Sequence, residues 1–314
     1  MIATLQSLRF VFVMMIFMSH FAYRDIRALD AGGDCGVAFF FLLSGFACSL
    51  GYGRQLREGT FRYGRFLWRR LRKLYPLHLF CLLAWVLMSH SPLNLKVLLN
   101  LLLLQSWVPD ADWYFSCNSV SWFLSSLMCC YLLFPWAYRH LSKWLSLAIA
   151  VAYVAVYLLT PYERVNAVLY TFPAVRFVDF YLGMTLCRWY ERRTLPACRW
   201  AEPLLVVVVL LSLVAYPYVD AKFRNAPLYW LVLMPFIMVF VQQQGSVSRW
   251  LQSKPMLFLG SLAMPVFLTH QMLIGCLQHR LPDMPAVLML AACVLATLMV
   301  SWAVQIIFSR LLRL

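Results

Sequence analysis

Charge is scarce in this chain: Asp, Glu, Lys and Arg make up 12% of its 314 residues, against about 25% in an ordinary soluble domain. No polar stretch is long enough for a separate soluble unit, so one membrane domain over residues 1–314 is expected. The apolar runs are longer than the roughly ten alternating residues of a barrel strand, which argues against a β-barrel. The ten cysteines include no C-x-x-C pair, and no Cys/His cluster has metal-ligand spacing, so no metal site is expected. Most sit in apolar runs, where cysteine behaves as a small core residue. Cys35 and Cys117 both fall in segments expected to be loops on one side, and the expectation is two free thiols. Internal repeats, low-complexity tracts and linkers are absent from the sequence as well. The first apolar stretch lacks an A-x-A-like cleavage site and is interrupted by His20, so it is read as mature structure rather than a secretory signal.

What is present is apolar: 63% of residues are hydrophobic and the mean hydropathy is +0.74. The pattern predicts an all-α, polytopic bundle of about ten transmembrane helices, at about 5–23, 36–52, 74–89, 120–137, 144–160, 173–187, 203–218, 227–242, 257–277 and 285–309. The run 97–108 is too short to cross and is read as an interfacial or re-entrant helix. Arg54, Arg57, Arg62, Arg65, Arg69, Arg70, Arg72 and Lys73 face the single Glu58 in one loop. Such a loop belongs in the cytoplasm, which puts both termini there. Basic residues then gather in loops on one side of the spans and acidic residues on the other. This positive-inside arrangement accounts for the net charge of +15 without nucleic acid.

Ionisable residues inside spans are costly and usually mark function. Arg9 and His20 lie eleven residues apart, just over three turns, on one face of the first helix and roughly 16 Å apart along it. By this topology His20, the Arg176–Asp179 pair one helical turn apart, His270, and Ser119, Ser121 and Trp122 all fall at a similar outer depth. Arg176 and Asp179 are equally readable as a structural pair that holds helices together. On the inner side Arg69, Arg70, Arg72 and Lys73 suit either topology and anionic headgroups or a phosphate site. Between the two sides lies the stretch Phe39 to Phe46. Its Ser44-Gly45 step removes bulk, for a slender ligand or for another helix. A basic inner mouth, a slim passage and outer imidazoles together suggest a reaction performed across the membrane.

These residues also resemble the motifs of the acyltransferase 3 family of membrane acyltransferases, bacterial members of which O-acetylate surface polysaccharides. Arg9 to His20 matches its Arg/Lys, ten residues, His signature. Phe40-Phe41-Leu42-Leu43-Ser44-Gly45-Phe46 resembles its F-F-x-x-S-G-F element, and Arg69 with Arg72, before Tyr75-Pro76, its R-x-x-R element. The stretch from Arg176 to Met184 is similar to R-x-x-E-F-x-x-G-M with Asp179 in place of Glu. Gly260 through His270 follows the late G-x-x-S-Y-x-x-Y-L-x-H element, with Met264 and Phe267 replacing its tyrosines. One departure stands out: where W-x-L-x-x-E is common, Trp122 to Leu127 ends in Leu.

The resemblance implies acyl transfer, usually acetyl, from acyl-CoA to a hydroxyl on an extracytoplasmic glycan, in the bacterial cytoplasmic (inner) membrane. Acetyl-CoA would be a co-substrate, with no permanently bound cofactor; the partners would be the carbohydrate acceptor and membrane lipids, with a homo-oligomer left open. Arg69 and Arg72 would hold CoA phosphates, with Phe40, Phe41, Ser44, Gly45 and Phe46 flanking the pantetheine arm. His20 would act as general base or carry the acyl group, and His270 would orient the acceptor or stabilise an oxyanion. Arg9, Arg176 and Asp179 complete the expected catalytic set, while Trp122 and Ser119 would meet the sugar. Two alternatives stay open at this point: a carrier or flippase for a glycan or lipid-linked intermediate, and an inactive scaffold. Acceptor selection is expected from the outer loops, especially 90–119 and 161–172.

Overall fold

The computed structural model describes residues 2–24, 31–90, 92–193 and 200–312. Of the first outer loop, Asp25, Arg27 and Asp30 lie outside these. The described residues fold as helices joined by turns and loops: α1 (Ala3–His20), α2 (Ala31–Arg57), α3 (Tyr63–Ser89), α4 (Leu95–Leu101), α5 (Ala111–Tyr114), α6 (Trp122–Arg139), α7 (Lys143–Leu159) and α8 (Pro173–Arg192). Then come α9 (Ala201–Ala215), α10 (Ala221–Asn225), α11 (Pro227–Phe240), α12 (Ser246–Leu251), α13 (Lys254–Ser261), α14 (Ala263–Arg280) and α15 (Ala286–Leu312).

Among the described residues, seven helical segments are long and apolar enough to cross a membrane, or up to nine if each of two bent pairs counts as one span. The ten expected spans exceed this for a physical reason: α8 has the length, at 20 residues, but carries Arg176, Asp179, Arg188, Glu191 and Arg192. It is buried by protein, packed against α2 and α6. α13 and α14 meet at a bend of 59°, with Pro265 two residues into α14. Pro173 is the first residue of α8, where a missing N–H costs no helical bond. The run 97–108 does not cross: α4 ends at Leu101, Leu103 takes positive φ, and a single 3-10 turn follows at Gln105–Trp107. Asn94 caps α4, and Asn100 at its end is buried in a polar network with Ser116, Ser121 and Gln105.

α2 is the hub of the bundle, touching α1, α6, α8, α9 and α11. Its approach to α8 is set by two reciprocal glycines. A Cβ at Gly45 would run into the Phe180 carbonyl, and one at Gly183 into that of Leu42. Gly45 therefore opens a seam for another backbone, and the expectation that it flanks a ligand gives way to helix packing. Phe46, fully buried beside Tyr190, belongs to the same seam. Gly45→Ala is expected to destabilise the protein by about 3 kcal/mol or more, because the obstacle is main chain that cannot rotate away. Thermal unfolding in detergent checks this, with Gly51→Ala, where a Cβ meets open space, as the control.

Apolar side chains point outwards on the flanks: Val151, Val154 and Leu158 on α7, Leu210, Leu211 and Val214 on α9, and Leu288, Leu295 and Met299 on α15 are exposed. Facing lipid they cost nothing; in water they would form a sticky belt. Cys35 and Cys117 are both free thiols.

Candidate active site

The two histidines expected at matched depth meet. His20 ends α1, and His270 lies mid-way along α14 with no exposed surface. His270 Nε2 is 3.2 Å from His20 Nδ1. His270 Nδ1 lies 3.0 Å from the Val266 carbonyl and 2.9 Å from that of Phe267, so it carries the proton and Nε2 is a lone pair. His20 Nδ1 sits 2.9 Å from the Ile16 carbonyl as well as against that lone pair. It must donate, which leaves His20 Nε2 as a free base. His270, with both nitrogens engaged, is a positioning residue. It has no proton to offer an oxyanion and no face for an acceptor, contrary to the role expected of it.

His20 opens on a cavity of about 770 Å³ at its end of the bundle. Tyr170, Tyr216 and Phe115 give the cavity aromatic faces, and Asp34, Glu163, Asn166, Asn225 and Arg224 give it polar groups. Tyr216 donates to Asp34 at 2.8 Å, and the Arg224 guanidinium lies over the Tyr216 ring at 4.4 Å. α10, which carries Arg224 and Asn225, is capped by Asp220. The Tyr162 hydroxyl donates to that carboxylate at 2.7 Å and holds it below the usual carboxylate range. Of the two outer segments expected to select the acceptor, 161–172 contributes several wall residues and 90–119, among the described residues, only Phe115.

Arg176 and Asp179 stand behind this wall, both fully buried and paired at 2.5 Å. Arg176 also donates to the Tyr170 carbonyl at 2.6 Å and the Asn225 carbonyl at 3.1 Å, so it ties two wall segments to α8. The second Asp179 oxygen accepts from Trp230. Neither residue borders the cavity; the pair's bonds run to its wall segments instead. With both oxygens occupied, Asp179 cannot stand in for the carboxylate missing at Leu127, which is itself buried. Trp122 and Ser119 likewise sit one layer back. Trp122 is buried against Tyr170, ring centroids 4.9 Å apart, and Ser119 donates to Gln271 beside His270. Tyr170 is the ring that reaches the cavity.

Arg9 lies eleven residues back along α1 from His20, roughly 16 Å away. It borders a smaller pocket of about 240 Å³ with Lys73, Pro76, Met264, Pro265 and Gln305. Arg70 lies close by, its guanidinium 5.2–5.4 Å from the rings of Tyr52, Phe66 and Tyr131. None of the four ion pairs among the described residues involves Arg9, Arg70 or Lys73. The expected pair differs in place rather than in exposure: Lys73 is as exposed as Arg69 but borders this pocket, and neither Arg69 nor Arg72 does. The reason is helical phase. Arg70 and Lys73 share the face of buried Phe66 and Leu77, and Arg69 and Arg72 turn away from it.

Between the two ends lies an aromatic layer. Phe40 packs edge-on to Phe123 at 6.2 Å and lies 6.4 Å from Phe267, which is 5.1 Å from Phe123. Phe41 packs on Phe123 at 4.6 Å, and Ser44 bonds back to the Phe40 carbonyl at 2.7 Å. Pro265 borders the basic-end pocket and His270 the histidine pair, so five residues of α14, roughly 8 Å, separate the two.

The bundle thus places a histidine pair beside one chamber and cations without an acidic partner beside another, with aromatic rings between them. A family model described as an acyltransferase domain matches residues 2–306, and the chain belongs to that family, acyltransferase 3. It is similar to acyltransferase MdmB of Streptomyces mycarofaciens, at 28% identity over 251 residues, 68% of this chain. The match spans 62% of that relative's length. No solved structure matches.

Proposed function

We propose that this protein is an acyl-CoA-dependent O-acyltransferase that moves an acyl group, acetyl in the simplest case, from a donor at the basic end of the bundle to a hydroxyl at the His20 end. With the basic loops in the cytoplasm of a bacterial inner membrane, the acceptor is an extracytoplasmic glycan. The observation that carries this reading is the His20–His270 pair, whose hydrogen bonding leaves His20 Nε2 as a base facing the larger cavity.

The chemistry balances simply. His20 Nε2 takes the acceptor O–H proton as the oxygen attacks the thioester carbonyl. The C–O bond forms, the C–S bond breaks, and the departing thiolate collects the proton, directly or through water. Arg9 and Lys73, with Arg70 beside them, hold the donor phosphates by charge-assisted hydrogen bonds. The thioester then has roughly 8 Å to cover along α14, past Phe267. The cavity's tyrosines suit the flat apolar faces of a sugar ring, and its Asn and carboxylate side chains suit sugar hydroxyls.

The donor assignment separates the sequence motif from the fold. Arg9→Ala and Lys73→Ala are each expected to raise the KM for acetyl-CoA by about 10- to 100-fold, the loss of one charged hydrogen bond. Arg69→Ala should change it by less than about threefold. Steady-state kinetics of the three variants decides: equal effects at Arg69 and Lys73 would contradict the assignment. A carrier would instead show substrate flux with no thioester loss in the same preparation.

A further inference from the structure

The basic end carries a second cationic site that the donor pocket does not use. Two clefts, of about 360 and 530 Å³, share Leu141, Arg188 and Arg192 between the α6–α7 turn and the end of α8. Arg139 borders one cleft and Lys143 the other. The only carboxylate on either lining, Glu191, is taken by Arg57 at 3.1 Å. Arg139, Lys143, Arg188 and Arg192 thus have no acidic partner among the described residues. Arg188 is fixed by one bond to the Leu141 carbonyl at 2.7 Å, which leaves most of its five donors for a ligand.

The smaller cleft runs on into a different environment. At Thr185 and Trp189 it meets a groove of about 500 Å³ between α8 and α11, completed by Leu186, Met234, Pro235, Met238 and Val239. The groove is apolar apart from the Thr185 hydroxyl, and Trp189 stands partly exposed at the junction. α8 and α11 both run towards the basic end, so the groove lies deeper in the bundle than the cations. A cationic, hydroxyl-lined cleft that adjoins an apolar groove at Thr185 and Trp189 matches a molecule with an anionic head and a hydrocarbon tail.

We propose that this is a binding site for one anionic phospholipid, its phosphodiester between Lys143, Arg188 and Arg192 and one acyl chain along α8 and α11. The site is independent of acyl transfer. Charge selects the head, because a zwitterionic lipid brings its own cation into a cleft that already holds three.

The test is native mass spectrometry of the full chain in detergent, titrated with dioleoyl phosphatidylglycerol or dioleoyl phosphatidylcholine. Wild type is expected to retain one phosphatidylglycerol at about tenfold lower lipid concentration than phosphatidylcholine. The double variant Lys143→Gln, Arg192→Gln should lose that preference, and Val239→Trp, which fills the groove, should weaken retention of both lipids. Glycerol 3-phosphate should fail to displace the lipid. Equal retention of the two lipids by wild type would overturn the proposal, and this comparison stands whether or not the variants fold. So would a preference that survives the double substitution. Displacement by glycerol 3-phosphate would mark a soluble-phosphate site and overturn the lipid assignment.

Discussion

His20→Ala lowers acyl transfer by about 10²- to 10⁴-fold while leaving acetyl-CoA binding within about threefold of wild type; this is the expected result for loss of a positioned general base. The two halves of the prediction come from two positions on α1. His20 borders the larger cavity, and Arg9, eleven residues earlier, borders the pocket assigned to donor phosphates. His20→Gln keeps a polar group of similar reach but no base, and it should be as inactive as alanine. His270→Ala should also be strongly impaired, for another reason. Without the Nε2 lone pair the His20 proton loses one of its two partners, and the ring is free to turn. His270→Asn or His270→Gln, which return an acceptor to that region, should recover part of the activity. Equal inactivity of all three His270 variants would assign it a part in the chemistry itself.

Breaking the buried pair in α8 is expected to cost about 3–5 kcal/mol of stability, the largest single effect we anticipate on folding. Arg176→Met leaves the Asp179 carboxylate buried with Trp230 as its remaining partner and releases the Tyr170 and Asn225 carbonyls. The double variant Arg176→Met, Asp179→Leu removes both charges and should recover much of that loss, since a buried ion pair and an apolar pair of similar size differ little. It will not recover function fully, because the wall segments stay untied: the KM for the acceptor should rise and that for acetyl-CoA should not. Asp179→Asn discriminates further. A positioning carboxylate tolerates the amide with kcat within about tenfold, whereas a proton-transferring one does not. Thermal unfolding and steady-state kinetics on the same preparations read all three.

The parts legible in the sequence are those governed by composition and helical phase. Long apolar runs interrupted by His20, Arg176 and His270 announce helices with polar residues inside them, and those residues do gather at one end of the bundle. What was not legible depends on which residue of a motif faces inwards. Arg69 and Arg72 carry the motif spacing, but Arg70 and Lys73 share the helical phase of buried Phe66 and Leu77, and Lys73 borders the pocket. Reading the phase of α3 from its apolar residues could have found them. Ser44-Gly45 admitted either a ligand or a backbone, and only the reciprocal placement of Gly183 decides for the backbone. Trp122 and Tyr170 are adjacent, and no periodicity tells which of two stacked rings lines a cavity. The cavity wall was legible only as a segment, 161–172, and not residue by residue. Glu163, Tyr170, Tyr216, Arg224 and Asn225 come from short helical turns and the five-residue α10, brought together by tertiary contacts that include the bonds from buried Arg176.

The central claim, a donor held by cations at one end and a base at the other, is tested most directly by following acetyl-CoA binding and thioester loss side by side. Three purified proteins suffice: wild type, His20→Ala, and the double variant Arg9→Ala, Lys73→Ala. The account predicts that wild type binds and turns over the thioester, that His20→Ala binds without turnover, and that the double variant loses binding. Turnover by His20→Ala at the wild-type rate, or full donor binding by the double variant, would contradict it.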